Sequence, residues 1–154
     1  MKGQSKVIDT LNSLLADELT AINQYMVHSE MCDNWGYGQL HEKIEKRAID
    51  EMKHAEKLIG RLLFLEAKPV VTKLNAINIG PDVKGQLTAD LEAESSAIKA
   101  YNDAIALAGE QGDNGTADLF QEILEEEEVH LEWLESQLDQ INQMGVQNYL
   151  AMKA

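Results

Sequence analysis

Cysteine and proline are scarce in this sequence, and their scarcity limits the possible folds. The 154 residues include one cysteine, Cys32, and two prolines. A single cysteine cannot form an intramolecular disulfide, which favours a reducing compartment, and its place in an apolar helical pattern favours a buried thiol. Few helix breakers, few aromatic residues and abundant Ala, Leu, Glu, Gln and Lys favour helix over sheet. The sequence therefore predicts an all-α protein, and its length suits one domain over residues 1–154.

Basic residues are also in the minority. Lys and Arg number 13 against 27 Asp and Glu, which gives a formal net charge of −14. This charge argues against nucleic acid as a partner, because phosphate contacts need a surplus of Lys and Arg. The acidity either concentrates cations at the surface or only keeps the protein soluble, and composition leaves both open. No signal peptide or membrane span is recognisable, so no membrane partner is expected and the predicted location is the cytoplasm.

Glycine, proline and Asx clusters divide the chain into four long segments. They lie near residues 5–33, 39–66, 83–111 and 116–144, and a short tail helix is expected from about residue 147. Each segment carries apolar residues at helical spacing. A glutamate interrupts each apolar stripe near its middle, at Glu18, Glu51, Glu94 and Glu127. A buried carboxylate without a partner is strongly destabilising, so these four residues require a specific explanation.

The interruptions repeat at a constant offset along the chain. The differences 94 − 18, 101 − 25, 127 − 51 and 130 − 54 are each 76, relating Glu18 to Glu94, Tyr25 to Tyr101, Glu51 to Glu127 and His54 to His130. Two related helix pairs predict a four-helix bundle. The link over residues 67–82 spans roughly 50 Å when extended, enough to follow a helix of about 28 residues. It predicts a long crossover with the second and third helices parallel, and its apolar residues predict packing against another surface, such as a second subunit.

Two Glu-x-x-His pairs suggest what the glutamates do. Residues three apart on a helix differ in direction by about 60°, so both side chains of such a pair reach one point. One pair alone is a weak signal, but two pairs together with two further core glutamates match the ligand set of a two-metal carboxylate site. The predicted metal-binding and catalytic residues are Glu18, Glu51, His54, Glu94, Glu127 and His130.

This oxygen-rich set, with one imidazole for each metal, suits two iron or manganese ions. Glu51 and Glu127 are expected to bridge the ions. Tyr25 and Tyr101 are placed to hydrogen-bond ligand carboxylates across the core, although a core tyrosine satisfied elsewhere is an open alternative. In the acidic run over residues 125–128 only Glu127 falls on the core stripe, and the other three glutamates are expected to be solvated. His28 and His41 have no counterparts at the 76-residue offset and are interpreted as ordinary residues.

The sequence resembles bacterioferritin along essentially its whole length. The resemblance is carried by Met-Lys-Gly at the start, Ala-Ile-Asn-Gln-Tyr over residues 21–25, Ile-Asp-Glu-Met-Lys-His-Ala-Glu over residues 49–56, and Gly-Val-Gln-Asn-Tyr-Leu over residues 145–150. It implies a ferritin-like four-helix bundle with a long crossover between helices 2 and 3 and a short C-terminal helix. It also implies oxidation of Fe²⁺ by O₂ or H₂O₂ at a site of two irons per subunit, with ferric mineral stored in a hollow homo-oligomeric shell of 24 subunits built from dimers. Whether a second subunit type enters the shell, and whether a ferredoxin-type protein supplies electrons, stays open.

The resemblance also assigns a role to Met52. From spacing alone, Met52 lies about 100° around the helix from Glu51, on an apolar face with Ile49 that favours a dimer interface. In bacterioferritins a methionine at this position binds haem b between two subunits. A thioether ligand stabilises Fe²⁺ and raises the reduction potential. The chain departs from some members at Lys46, where they carry a histidine that holds an extra iron beside the residue matching Asp50; a cationic lysine cannot replace it.

Three rival interpretations remain at the level of sequence. The first is a non-storage two-iron peroxidase or oxidase on the same bundle, which predicts a monomer or dimer. The second is a haem-bearing electron carrier whose two-metal site is structural. The third, a DNA-protecting miniature ferritin, fits poorly, because its metal ligands lie at subunit interfaces whereas all six predicted ligands here belong to one chain.

Overall fold

The chain folds into four long helices and one short helix, with no strand. The computed structural model describes residues 1–154. The helices are α1 (Ser5–Asn34), α2 (Gly38–Phe64), α3 (Val83–Glu110), α4 (Asn114–Met144) and α5 (Val146–Ala151). The predicted all-α bundle with its short C-terminal helix is confirmed, and the predicted ends lie within a few residues of those observed. None of these helices has a stretch apolar and long enough to span a bilayer.

The two hairpins turn in the same way. Gly36 follows α1 with a φ of 85°, and Gly112 follows α3 with a φ of 72°. This left-handed conformation favours glycine, which lacks a Cβ. The positions again differ by 112 − 36, or 76 residues. Asp113 then caps α4 by accepting hydrogen bonds from the backbone nitrogen of Thr116 at 3.0 Å and from its hydroxyl at 2.6 Å. The internal repeat therefore includes the turns as well as the helices.

Residues 67–82 follow the length of α1. Four polar side chains of α1 bond the backbone of this crossover in order, and they are Asn12, Thr20, Gln24 and His28, paired with the backbone nitrogens of Val70, Asn75, Asn78 and Gly80. Because the crossover travels from the start of α1 toward its end, α3 runs antiparallel to α1 and parallel to α2, as the length of the link predicted. Its apolar side chains are exposed, with Val71 at 55% and Leu74 at 49%.

The apolar core forms two clusters, one toward each end of the bundle. One contains Leu11, Leu15, Leu58, Leu62 and Phe120 among others. The other contains Leu40, Ile44, Leu87 and Leu134, together with Cys32, whose thiol is buried as expected. Helix α5 joins this second cluster through Tyr149, whose hydroxyl donates to Oε1 of Gln137 at 2.6 Å. The interrupting glutamates lie between these clusters.

Candidate metal centre

The six residues singled out by the 76-residue offset meet in the middle of the bundle. Each of the four long helices contributes one glutamate, and α2 and α4 contribute the histidines. Their relative exposures are 9% or less, for Glu18, Glu51, His54, Glu94, Glu127 and His130. Hence the cluster is assembled entirely within one chain and shielded from bulk water.

The cluster divides into two overlapping groups of four ligands. One group is Glu18, Glu51, His54 and Glu127, and the other is Glu51, Glu94, Glu127 and His130. Nδ1 of His54 lies 3.6 Å from Glu18, 3.4 Å from Glu51 and 2.8 Å from Glu127. Nδ1 of His130 lies 3.3 Å from Glu51, 3.8 Å from Glu94 and 4.0 Å from Glu127. Glu51 and Glu127 belong to both groups, which is the arrangement of bridging carboxylates.

One polar atom from every member of the cluster is buried without a hydrogen-bond partner. The atoms are Glu18 Oε2, Glu51 Oε1, His54 Nδ1, Glu94 Oε2, Glu127 Oε1 and His130 Nδ1. Buried polar atoms in folded proteins almost always have partners, so six such atoms in one place call for an explanation, and bound metal ions provide one. Two divalent cations would satisfy them and balance four carboxylates. The donor set therefore fits two oxygen-preferring metal ions.

Burial and crowding perturb the acidity of the cluster. Burial and the neighbouring Glu51 raise the pKa of Glu18 well above its usual value, and the same two causes raise that of Glu127. Burial acts in the same direction on Glu51, but its contacts with Glu18, His130 and His54 outweigh it and lower the pKa. For His54, contacts with Glu127, Glu18 and Glu51 raise the pKa despite burial. Without metal the cluster holds protons, so metal binding releases them and strengthens as the pH rises.

Two buried tyrosines fix the outer glutamates. The hydroxyl of Tyr25 donates to Oε1 of Glu94, and that of Tyr101 donates to Oε1 of Glu18, both at 2.6 Å. Each bond crosses from one hairpin to the other and leaves Oε2 of the glutamate without a hydrogen-bond partner. The hydrogen bonds expected from the sequence are present, and they orient the carboxylates that they touch.

The outer nitrogens of the histidines contact two further carboxylates. Nε2 of His130 lies 3.2 Å from Asp50, and Nε2 of His54 contacts Glu126. Glu126 is half-exposed, as expected of a solvated glutamate, and its carboxylate also reaches the ring of His54. Such contacts fix the orientation of a ligand imidazole and leave Nδ1 for the metal. The offset could have revealed the pair, since 126 − 50 is also 76.

Sequence reasoning missed a buried ionic network beside Glu94. Arg47 is 2% exposed, and its Nη2 donates to Oε1 of Glu94 at 2.5 Å. Its Nη1 lies 4.0 Å from Asp90, which is fully buried and also contacts Nδ1 of His28 at 2.9 Å. The guanidinium stacks 4.2 Å from the ring centre of Tyr25. Arg47, Asp90 and His28 have no polar counterparts at the 76-residue offset, so the repeat could not indicate them.

The remaining predicted site residue lies on the outside of the bundle. Met52 is 44% exposed, and Ile49, one turn earlier on α2, is 43% exposed. Met26 of α1 is 48% exposed. These side chains are apolar yet accessible, as expected of a face that meets another molecule.

Comparisons with known proteins agree with this geometry. The family model for the ferritin-like domain matches residues 8–144, so the fold and the buried cluster define a ferritin-like protein. Bacterioferritin from Mycolicibacterium paratuberculosis is 41% identical over 151 residues, 98% of this chain and 95% of that protein. Bacterioferritin from Brucella melitensis is 40% identical over 154 residues, 100% of this chain and 96% of its own length. A bacterial ferritin from Paramagnetospirillum magnetotacticum is 44% identical over 156 residues, 100% of this chain and 95% of that protein. The chain belongs to the bacterioferritin family.

Proposed function

We propose that this protein stores iron by oxidising Fe²⁺ at the buried cluster and retaining the ferric product in a hollow shell. The observation that carries the proposal is the set of six orphaned ligand atoms, one from each predicted ligand, at the centre of the bundle. Membership of the bacterioferritin family supports the same function. The proposal treats residues 1–154 as one domain, because the cluster draws a ligand from every long helix.

The proposed reaction balances with Fe²⁺ as the substrate. Two Fe²⁺ lose one electron each, and O₂ accepts both electrons and two protons to give H₂O₂. Alternatively, H₂O₂ accepts the two electrons and two protons to give two waters. Glu51 and Glu127 hold the two ions side by side, so both electrons can leave together. Tyr25 and Tyr101 keep the outer carboxylates in place, which preserves the spacing of the two ions.

An acidic cavity supports delivery of Fe²⁺ to the cluster. A cavity of about 380 Å³ lies between α1, α3 and the crossover, and the four ligand glutamates line it. Asp17, Glu92 and Asn75 also line it. A passage lined by carboxylates attracts cations and raises their local concentration. The cavity therefore gives the substrate a route to the ligands, and the overall charge of −14 favours its approach.

Assembly distinguishes storage from a non-storage enzyme on the same bundle. A shell of twenty-four chains of 17.2 kDa each has a mass of roughly 410 kDa. The exposed apolar side chains of the crossover, and Ile49 and Met52 on the outer face of α2, are available for such contacts. We expect light scattering coupled to size exclusion to give this mass for the purified protein. A monomer or dimer that still oxidises Fe²⁺ would instead favour the peroxidase or oxidase interpretation.

Met52 is the residue proposed to hold haem b between two copies of the chain. Its exposed thioether fits an axial ligand that two copies of the chain would share across a twofold axis. Bound there, haem would carry single electrons between an external donor and the stored iron. Ile49 on the same face would provide apolar contact to a flat porphyrin.

Lys46 is expected to prevent binding of an additional iron beside Asp50. Its ammonium lies 3.4 Å from Oδ2 of Asp50, the same oxygen that contacts His130. The ammonium of Lys46 repels Fe²⁺, and it already pairs with the carboxylate of Asp50 that an iron would need as a ligand. Replacing Lys46 by His should create an additional iron position next to Asp50, visible as anomalous density in iron-soaked crystals. Iron at Asp50 in the unmodified protein would show that Lys46 is not the obstacle.

A further inference from the structure

The two halves of the metal centre share their ligands but not their surroundings. The residues around Glu94 are polar: Gln24, His28, Arg47 and Asp90, with exposures of 3% or less. Their counterparts at the 76-residue offset are apolar, and they are Ala100, Ala104, Ile123 and, for Asp90, Leu14. All four counterparts belong to or pack against the first apolar cluster. The buried side chains near Glu94 therefore include charged ones, whereas those at the matching positions of the Glu18 half are apolar.

Arg47 is the cation in this asymmetric network. Oε1 of Glu94 accepts from both Tyr25 and Arg47, whereas Oε1 of Glu18 accepts from Tyr101 alone. The guanidinium is permanently charged. Its Nε and Nη1 have no hydrogen-bond partners, so its one close acceptor is the carboxylate of Glu94.

Asp90 is the second carboxylate near Arg47, and its hydrogen bonds come from other residues. The backbone nitrogen of Gly80 donates to Nε2 of His28 at 3.0 Å, so that nitrogen carries no proton. Nδ1 of His28 therefore donates to Asp90, as does Nε2 of Gln24, both at 2.9 Å. Asp90 lies farther from Arg47, at 4.0 Å, than Glu94 does at 2.5 Å. The guanidinium therefore hydrogen-bonds Glu94, while Asp90 balances part of its charge from a greater distance.

We propose that Arg47 makes the two metal positions unequal, so that a divalent cation binds first at the Glu18–His54 position and a second binds more weakly at the Glu94–His130 position. This inference rests on the proposed two-metal function. A guanidinium in contact with a ligand carboxylate withdraws charge from it and repels the incoming cation, and both effects are stronger in a buried site than in water. Arg47 is a positioning residue here, because it acts on the metal only through Glu94. Loading is therefore stepwise, and the pair of ions needed for a two-electron reaction forms only at the higher metal concentration.

Anaerobic titration of the metal-free shell with Co²⁺, followed by calorimetry and by the Co²⁺ absorption bands, tests the proposal. We expect two ions per chain with two distinct affinities. Glu94→Ala should remove the weaker class and Glu18→Ala the tighter one. Arg47→Met should tighten the weaker class by about tenfold or more and leave the tighter class unchanged. Equal affinities in the unmodified shell, or an Arg47→Met shell with unchanged constants, would overturn the proposal.

A second variant covers the case in which Arg47→Met leaves Asp90 uncompensated and the chain does not fold. Arg47→Met combined with Asp90→Asn removes both charges, and its folding can be checked by circular dichroism. Tightening of the weaker class in this variant supports an action of Arg47 on Glu94. Constants equal to those of the unmodified shell would mean that Arg47 only balances Asp90, which overturns the proposal. Fewer than two Co²⁺ per chain in the unmodified protein would contradict the proposed function itself.

Discussion

Replacement of Glu127 by Ala is expected to lower the initial rate of Fe²⁺ oxidation by about 100-fold or more, since even residues that only orient metal ligands contribute 10- to 100-fold. Glu127 belongs to both ligand groups and is 1% exposed, so its loss affects both metal positions at once. Glu51→Ala should have the same effect for the same reason. The formation of ferric product in a stopped-flow experiment with air-saturated buffer measures the rate directly.

The neighbouring residue provides a matched control for this substitution. Glu128 is exposed on the next position of α4 and belongs to neither ligand group. Glu128→Ala changes the net charge by the same amount as Glu127→Ala and should oxidise Fe²⁺ at the unmodified rate. Equal rates for the Glu127→Ala shell and the Glu128→Ala shell would rule out the buried cluster as the oxidation site.

The same substitution should not destabilise the metal-free protein. Burial and Glu51 raise the pKa of Glu127 well above its usual value, so the folded state binds its proton more tightly than the unfolded state does. A raised carboxyl pKa means that stability falls as the pH rises from the unfolded value through the folded one. Glu127→Ala removes this fall in stability, because alanine does not ionise. The free energy of unfolding of the Glu127→Ala protein minus that of the unmodified protein, both measured in urea, should therefore be larger at pH 8 than at pH 4.5.

The six ligands could be predicted from the sequence because the internal repeat amplifies a weak signal. Each Glu-x-x-His pair alone resembles an ordinary surface pair, but the common offset ties Glu51 to Glu127 and His54 to His130. Helical spacing then places the ligands on the core faces, and the constraint that buried carboxylates need partners points to metal. The fold follows from the same repeat, since two similar helix pairs with a long link leave few alternatives to this bundle.

Residues that break the repeat could not be predicted in the same way. An arginine is expected on a solvated surface, and the residue 76 positions after Arg47 is Ile123, which gives no sign of a charged partner. The sequence therefore does not indicate that Arg47 is buried. Its burial depends on Asp90 and Glu94, which come from another helix and meet it only after the hairpins pack together. The alignment of the crossover along α1 could not be predicted from the sequence either. Asn12 and Thr20 look like ordinary polar positions of α1, and only the folded path of the link shows that they bond its backbone.

Substitution of Met52 by Leu is expected to remove haem from the shell completely. Because the two axial ligands would be copies of one residue, a single change eliminates both iron–sulfur bonds. Leu keeps nearly the same volume and hydrophobicity, so the dimer contact should survive with little loss of stability. The purified Met52→Leu protein should lack the absorption bands of six-coordinate haem. It should still assemble and oxidise Fe²⁺ at the unmodified rate, because Met52 lies outside the buried cluster.

A second exposed methionine makes the test specific for position 52. Met26 has nearly the same exposure as Met52, at 48% against 44%, but lies on α1. Met26→Leu should keep a full complement of haem with unchanged spectra, and reductive release of iron should slow only in the Met52→Leu shell. Stoichiometric six-coordinate haem in the Met52→Leu protein would exclude Met52 as the ligand. Loss of haem in the Met26→Leu protein instead would transfer the assignment to Met26, and haem retained in both variants would make Met31 the next position to replace.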